Sequence, residues 1–143
     1  MSTLTDAQRR FLDCQRVARL ATADSAGVPH VVPVCFAFTD FVAYLVLDEK
    51  PKRVQSRLLK RVRNILENPS ATLLADHYDD SDWSRLGWVM LRGRAEIVES
   101  GSEHDAAITA LRERYHQYIE MNLDAAPIIA LRIESTQCWG RLV

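Results

Sequence analysis

The chain has 143 residues, 48% of them hydrophobic and 26% charged, with 18 Lys and Arg against 19 Asp and Glu. That length suits one domain with a single core, residues 1–143, and a net charge of −1 argues against a dedicated nucleic-acid binder, which carries a basic surplus. MSTLTDAQRRFLDCQRV at the start has no apolar signal core, and no apolar run is long enough to span a bilayer, so the expectation is a cytoplasmic protein without membrane contact. Cys14, Cys35 and Cys138 are too few and too scattered for a disulfide framework or a CxxC metal site, and read as reduced thiols.

Thr5-Asp6-Ala7-Gln8 has the form of a capping box and predicts a helix to about Gln15. RVARLATAD (16–24) alternates as a strand does, and Ser25-Ala26-Gly27 is a hairpin connection. VPHVVPVCFAF (28–38) is rich in β-branched and aromatic residues, and Pro29 and Pro33 suit an edge strand. Thr39-Asp40 then turns the chain into FVAYLVLD (41–48), which makes three successive strands a meander.

Residues 50–64, KPKRVQSRLLKRVRN, concentrate seven Lys and Arg. At 100° per residue Val54, Leu58, Leu59, Val62, Ile65 and Leu66 share an arc of about 140°. Arg53, Arg57, Lys60, Arg63 and Asn64 fall opposite, with Arg61 at the border, so an amphipathic helix is expected that ends at Asn68-Pro69. ATLLADHY (71–78) is a fourth strand and DDSDWS (79–84) an acidic loop. RLGWVMLRGRAEIVE (85–99) is a long fifth strand in which Gly93 marks a bulge or a bend. Ala106, Ala107, Ile108, Leu111, Tyr115 and Ile119 predict a second amphipathic helix, IIALRIES (128–135) the last strand, and Trp139 a short tail. Six strands and a few helices describe an α+β fold built on a small antiparallel barrel.

No GxSxG, P-loop, GxGxxG or HExxH occurs, and His30, His77, His104 and His116 are dispersed. DHYDDSD lacks the ligand alternation of a calcium loop and reads as solvated, so no metal is expected. Tyr115 and Tyr118 read as core or interface residues. Trp88 and Trp139 suit packing or stacking on a flat ligand or a second protomer. The basic run is the one asymmetric feature. Nucleic acid would need aromatic platforms beside the charge, and a membrane helix would need exposed aromatics; here the interleaved residues are Val, Leu and Ile. A solvated face would leave the mutual repulsion of these cations unrelieved, so a phosphorylated small molecule fits best.

RVARLATADSAGVPHVVPV, LDEKPKR, LKRVRNILENPSATLLADHY and DWSRLGWVMLRGRAEIV, in this order, resemble the pyridoxamine 5′-phosphate oxidase-like superfamily of split β-barrel flavin and deazaflavin proteins. Within it the likeness is greatest to the short subgroup dependent on the deazaflavin coenzyme F420. The resemblance implies a six-stranded antiparallel split β-barrel (FMN-binding split barrel) with flanking helices, a homodimer, and cofactors in grooves between protomers. It further implies that Val31, Val32, Pro33 and Val34 wall the flavin ring and that Leu47 and Asp48 lie beside it. Lys50 and Lys52 would approach the phosphate, Arg57, Arg61 and Asn64 would complete that pocket, and Trp88 would reach the partner's cofactor. The implied activity is hydride transfer between F420 and a small conjugated acceptor, with solvent, Tyr44 or Tyr78 as proton source. The alternatives are an FMN-dependent oxidoreductase on the same fold, or a non-catalytic flavin- or tetrapyrrole-binding protein. Two departures stand out: Gly87 occupies a position where relatives often carry an aromatic, and WGRLV resembles only the beginning of the true oxidases' tail.

Overall fold

The spacing of Thr5 and Gln8 produces the expected cap: Thr5 Oγ1 accepts from the Gln8 amide at 3.1 Å and Gln8 Oε1 from the Thr5 amide at 2.9 Å. This opens α1 (Asp6–Cys14), which buries Phe11 and Leu12. The computed structural model describes residues 4–47 and 59–142. Seven strands follow in it: β1 (Ala18–Ala23), β2 (Pro29–Val34), β3 (Ala37–Phe38), β4 (Val42–Val46), β5 (Ser70–His77), β6 (Gly87–Val98) and β7 (Ile128–Gly140). Helices α2 (Lys60–Glu67) and α3 (Ser102–Arg114) lie between β4 and β5 and between β6 and β7. No helix among the described residues is long and apolar enough to cross a membrane.

The expected meander over 16–48 does not form. The stretch 28–38, read as one strand, breaks at Cys35-Phe36 into β2 and β3, which raises the strand count from six to seven. The sheet order is β2-β1-β5-β6-β7-β4-β3, all neighbours antiparallel. Consecutive strands β2 and β3 therefore end the sheet at opposite edges. Only Cys35 and Phe36 separate them in the chain, so the two edges must be drawn together and the sheet must curl into a split barrel. Pro29 and Pro33 sit on β2, an end strand, as their missing amide donors require.

The pleat sorts the side chains. Leu20, Leu73, Leu91, Leu131, Ala43 and Leu45 point into the barrel and belong to its core. On the outer face of β4 and the first part of β7, Tyr44, Val46, Ile128 and Ala130 pack under Ala107, Ile108 and Leu111 of α3. β4 is thus apolar on both faces, which explains its continuous hydrophobic run. Helix α3 is shorter than its apolar spacing suggested. It ends at Arg114, Tyr115 is its C-cap, Ala106 is exposed, and Ile119 stands exposed in the 3₁₀ segment His116–Glu120.

β6 and β7 pair along almost their whole lengths. The last strand was expected to stop at Ser135; it runs to Gly140 and places Trp139 opposite Trp88 in the sheet instead of in a tail. Gly93 marks a bulge as anticipated, with Glu134 the extra residue, on the partner strand. A Cβ on Gly93 would lie 1.8 Å from the Arg132 carbonyl oxygen, a distance no side chain tolerates.

A polar network ties α3 to the sheet. Tyr44 Oη donates to Glu103 Oε2 at 2.8 Å, and Arg132 bonds both carboxylate oxygens of Glu103 and reaches Glu96 at 2.6 Å. Arg132 holds the Glu103 carboxyl below its ordinary range. Burial, then the Glu103 acceptor, pushes the Tyr44 phenol up to about 12.

Gly93→Ala is expected to destabilise the protein by at least about 3 kcal/mol in urea unfolding, since the backbone of the longest ladder must move. A loss under about 1 kcal/mol would show that the bulge can open freely. The network predicts two pH limbs. Glu103, with its depressed pKa, contributes stability that is complete above its ordinary 4.5 and is lost as acid protonates it. Tyr44, with its raised pKa, contributes stability that is complete below 10.0 and is lost between 10 and about 12. Glu103→Gln should flatten the acid limb and Tyr44→Phe the alkaline one. Profiles parallel to the parent's would remove the network from the stability of the fold.

Candidate functional site

The two sheet edges meet where β2 runs into Cys35, and a groove follows that seam. Its first part, about 210 Å³, lies between Pro33, Val34 and Cys35 on one side, Leu45 and Val46 of β4 below, and Arg61 on the first turn of α2. The second, about 310 Å³, is bounded by Arg16, Tyr115, His116 and Met121. Cys35 and Tyr118 line both parts, so the two are continuous at these residues.

Tyr115, the C-cap of α3, builds one wall, and Arg114 beside it packs on the buried Phe36. Tyr115 Oη accepts from the Phe36 amide at 3.0 Å and lies within donating distance of the Arg16 and Phe36 carbonyls. Arg16 stacks over the Tyr115 ring with its guanidinium carbon 4.7 Å from the centroid, and Arg114 over Phe36 at 4.8 Å. The groove therefore has a stiff aromatic wall, a cation at each end, a thiol and an imidazole.

The residues marked in the sequence divide among several places. Pro33, Val34 and Arg61 meet in the groove. Val31 is 59% exposed and, with Pro33, shares the outward side of β2, whereas Val32 and Val34 pack on the barrel core by the strand's alternation. Leu47 is buried in that core and its amide donates to the Pro127 carbonyl at 2.9 Å. Asp48, Lys50, Lys52 and Arg57 lie outside the described residues, as do Arg53, Val54 and Leu58 of the expected helix.

Two positions on α2 correct the helical wheel. Asn64, placed on the cationic face, is fully buried and donates to Thr22 Oγ1 at 3.1 Å, which pins α2 to β1. Its amide oxygen is buried with no hydrogen-bond partner among the described residues. Leu66, placed on the apolar stripe, is 58% exposed. A rotation of the helix about its axis explains both changes. Lys60 reaches the Asp24 carboxylate at 3.6 Å, so part of the cationic row is neutralised within the chain.

Trp88 sits on the outer sheet face, three strands from β2, hence roughly 14 Å away at about 4.8 Å per strand. It cannot wall the same groove within one protomer. Around it the outer face carries Leu74, Met90 and Trp139, the last 55% exposed. Tyr44 is taken by Glu103 under α3, and Tyr78 bonds Asp80 at 2.9 Å on an exposed loop, so neither hydroxyl serves the groove. Cys35, Tyr118, Arg16 and His116 are among the groove residues that sequence reasoning did not connect with a site. Their only signal is the break after β2, visible once the strand order is known. No group of three or more His, Cys, Asp or Glu among the described residues is arranged to hold a metal ion.

A family model described as pyridoxamine 5′-phosphate oxidase matches residues 4–140. No curated protein matches the chain. Among solved structures it is similar to a heme binding protein from Mycobacterium smegmatis, at a TM-score of 0.74 and 19% identity over 99% of this chain and 56% of the other. The chain thus spans little more than half of that protein's length. It is also similar to HutZ, the heme storage protein from Vibrio cholerae, at a TM-score of 0.69, 17% identity and coverage of 98% and 96%. A FAD-binding protein from Mesorhizobium loti gives 0.68, 24% identity and coverage of 96% and 95%. At these identities the likenesses establish the split-barrel fold alone, while the family match spans nearly the whole chain: the protein belongs to the pyridoxamine 5′-phosphate oxidase family.

Proposed function

We propose that the protein is a cytoplasmic, single-domain oxidoreductase that acts as a homodimer and uses the deazaflavin coenzyme F420 to reduce a small conjugated acceptor. The observation that carries this reading is the meeting of an apolar strand end (Pro33, Val34) with Arg61 at the head of α2. The basic run 50–64 enters the described structure at the same place, since Leu59 immediately precedes α2. A phosphorylated ring ligand needs that combination: a flat apolar wall for the ring and cations for the phosphate.

In this reading Val31 and Pro33 hold the ring, and Lys50, Lys52, Arg57 and Arg61 hold its phosphate. The bound coenzyme supplies hydride, and the protein orients it. Tyr44 and Tyr78 are engaged elsewhere, so the proton comes from solvent. F420 is favoured over FMN because its phosphodiester and glutamate tail match a run of seven cations better than one terminal phosphate does. The second protomer covers the apolar outer face around Trp88 and Trp139, which places Trp88 beside the partner's coenzyme. A second reading, binding of a tetrapyrrole, is favoured by His116 and Cys35, two side chains able to ligate iron, in the same groove.

Titration of the purified protein with F420, FMN and heme separates these readings. We expect F420 to bind most tightly, light scattering to give twice the 16.3 kDa chain mass, and reduced F420 to be oxidised in the presence of 2-cyclohexenone. Lys52→Glu and Arg57→Glu should each weaken F420 binding by well over the ~1 kcal/mol of an exposed ion pair. Unchanged affinity would return the basic run to a solvated face. Tight heme binding with a Soret band altered by His116→Ala, and no F420 binding, would establish the tetrapyrrole reading instead.

A further inference from the structure

A second cleft, of about 720 Å³, shares no residue with the seam groove. One wall is α1, where Arg10 and Cys14, one turn apart, share a face and Phe11 forms an apolar floor. The opposite wall comes from His77 at the end of β5 and from Asp82 and Arg85 around the 3₁₀ turn Trp83–Arg85. Arg141 and Leu142, just past β7, close the third side.

This last wall is held by contacts between backbones. The Arg141 amide donates to the Leu86 carbonyl at 2.8 Å. Gly140, at φ 83°, lies so close to the same carbonyl that a Cβ there would stand 2.2 Å from its oxygen. The approach fixes where the Arg141 and Leu142 side chains start, and only glycine permits it.

The lining is electrostatically one-sided. Three guanidiniums and an imidazole surround a single carboxylate, Asp82, which already accepts from the Ser84 amide at 3.0 Å and from its hydroxyl at 2.7 Å. Arg85 also faces Asp79 outside the cleft, Nε to Oδ2 at 3.5 Å. Planar guanidiniums suit carboxylate and phosphate oxygens. Phe11 and Leu142 offer an apolar surface beneath them, and the volume lies within the range of small-molecule sites.

We infer that this cleft binds a small organic anion, an apolar body carrying a carboxylate or a phosphate. It does so independently of the coenzyme site.

The test is nuclear magnetic resonance of ¹⁵N-labelled full-length protein titrated with phenylacetate, phenyl phosphate and the neutral 2-phenylethanol. Saturable shifts at the amides of Arg10, Cys14, Arg85 and Leu142 are expected with at least one anion and not with the alcohol; which anion saturates first distinguishes carboxylate from phosphate. Binding should weaken roughly tenfold or more in Arg10→Glu, an exposed substitution whose retained spectrum reports an intact fold, and in Arg85→Glu. Lys52→Glu should bind the probes as the parent does. Shifts that do not saturate, equal binding of the alcohol, or loss in Lys52→Glu with retention in Arg10→Glu would each overturn the inference.

Discussion

Two residues, Cys35 and Phe36, fix the shape of this protein. They join strands that end the sheet at opposite edges, so the chain cannot be traced without closing the sheet on itself. Contacts from α3 hold this short link in place. Phe36 is fully buried, and its amide and carbonyl both lie within hydrogen-bond distance of the Tyr115 hydroxyl. Arg114 lies over its ring and donates to the Gln15 carbonyl at 2.8 Å. Each such contact contributes on the order of 1 kcal/mol to fixing the link. The candidate site is a by-product of the same closure. The groove is what remains where two edges approach without forming a ladder.

The seam also divides the outer surface into two kinds. Where α3 lies across β4 and the start of β7, the sheet is apolar on both faces and its polar contacts concentrate in the Tyr44–Glu103–Arg132 network. Across the outer face of β1, β5, β6 and the far half of β7 no helix among the described residues intervenes. Here Leu74, Met90, Trp88 and Trp139 meet Arg92, Arg19 and Asp76 on one broad face. Mixed apolar and charged surface of this kind, with two tryptophans paired across neighbouring strands, has the composition of the hydrophobic centre and polar rim of an interface.

Local signals in the sequence were mostly legible because they report neighbours along the chain. The Thr5–Gln8 box, the two prolines of β2 and the glycine at the bulge each describe a backbone need that one or two residues satisfy. The pairing of strands was not legible. Residues 28–38 look like one strand because Val, Cys, Phe and Ala all suit the extended conformation; the break after Val34 is imposed by closure, which is a property of the whole sheet. The helical wheel failed at Asn64 and Leu66 for a related reason. Hydropathy assigns a polar amide to water, but the Thr22 hydroxyl, inside the barrel on β1, offers a partner that only the tertiary fold supplies. Trp139 was assigned to a tail because the apolar run of β7 ends at Ile133, and only pairing with the long β6 carries the strand on to Gly140.

The overall charge of −1 offers anions no net attraction, yet cations line both the seam groove and the cleft beside α1. The distribution of acids resolves this. Glu96 and Glu103 face Arg132, Asp13 faces Arg114, Asp24 faces Lys60, and Asp40 faces Arg9. Asp79 and Asp82 accept from Ser81 and Ser84, whose hydroxyls are the largest influence holding both carboxyls below their ordinary range. These carboxylates are committed to caps, turns and element-to-element ties. At physiological salt a charge is felt over only ~8 Å, so a ligand senses the groups lining its cleft and not the sum over the chain. On the two proposals made above, a nearly neutral protein would select anions at two separate places. The fold commits these acids to structure, while Arg16 and Arg61 line the seam groove and Arg10, Arg85 and Arg141 line the cleft beside α1.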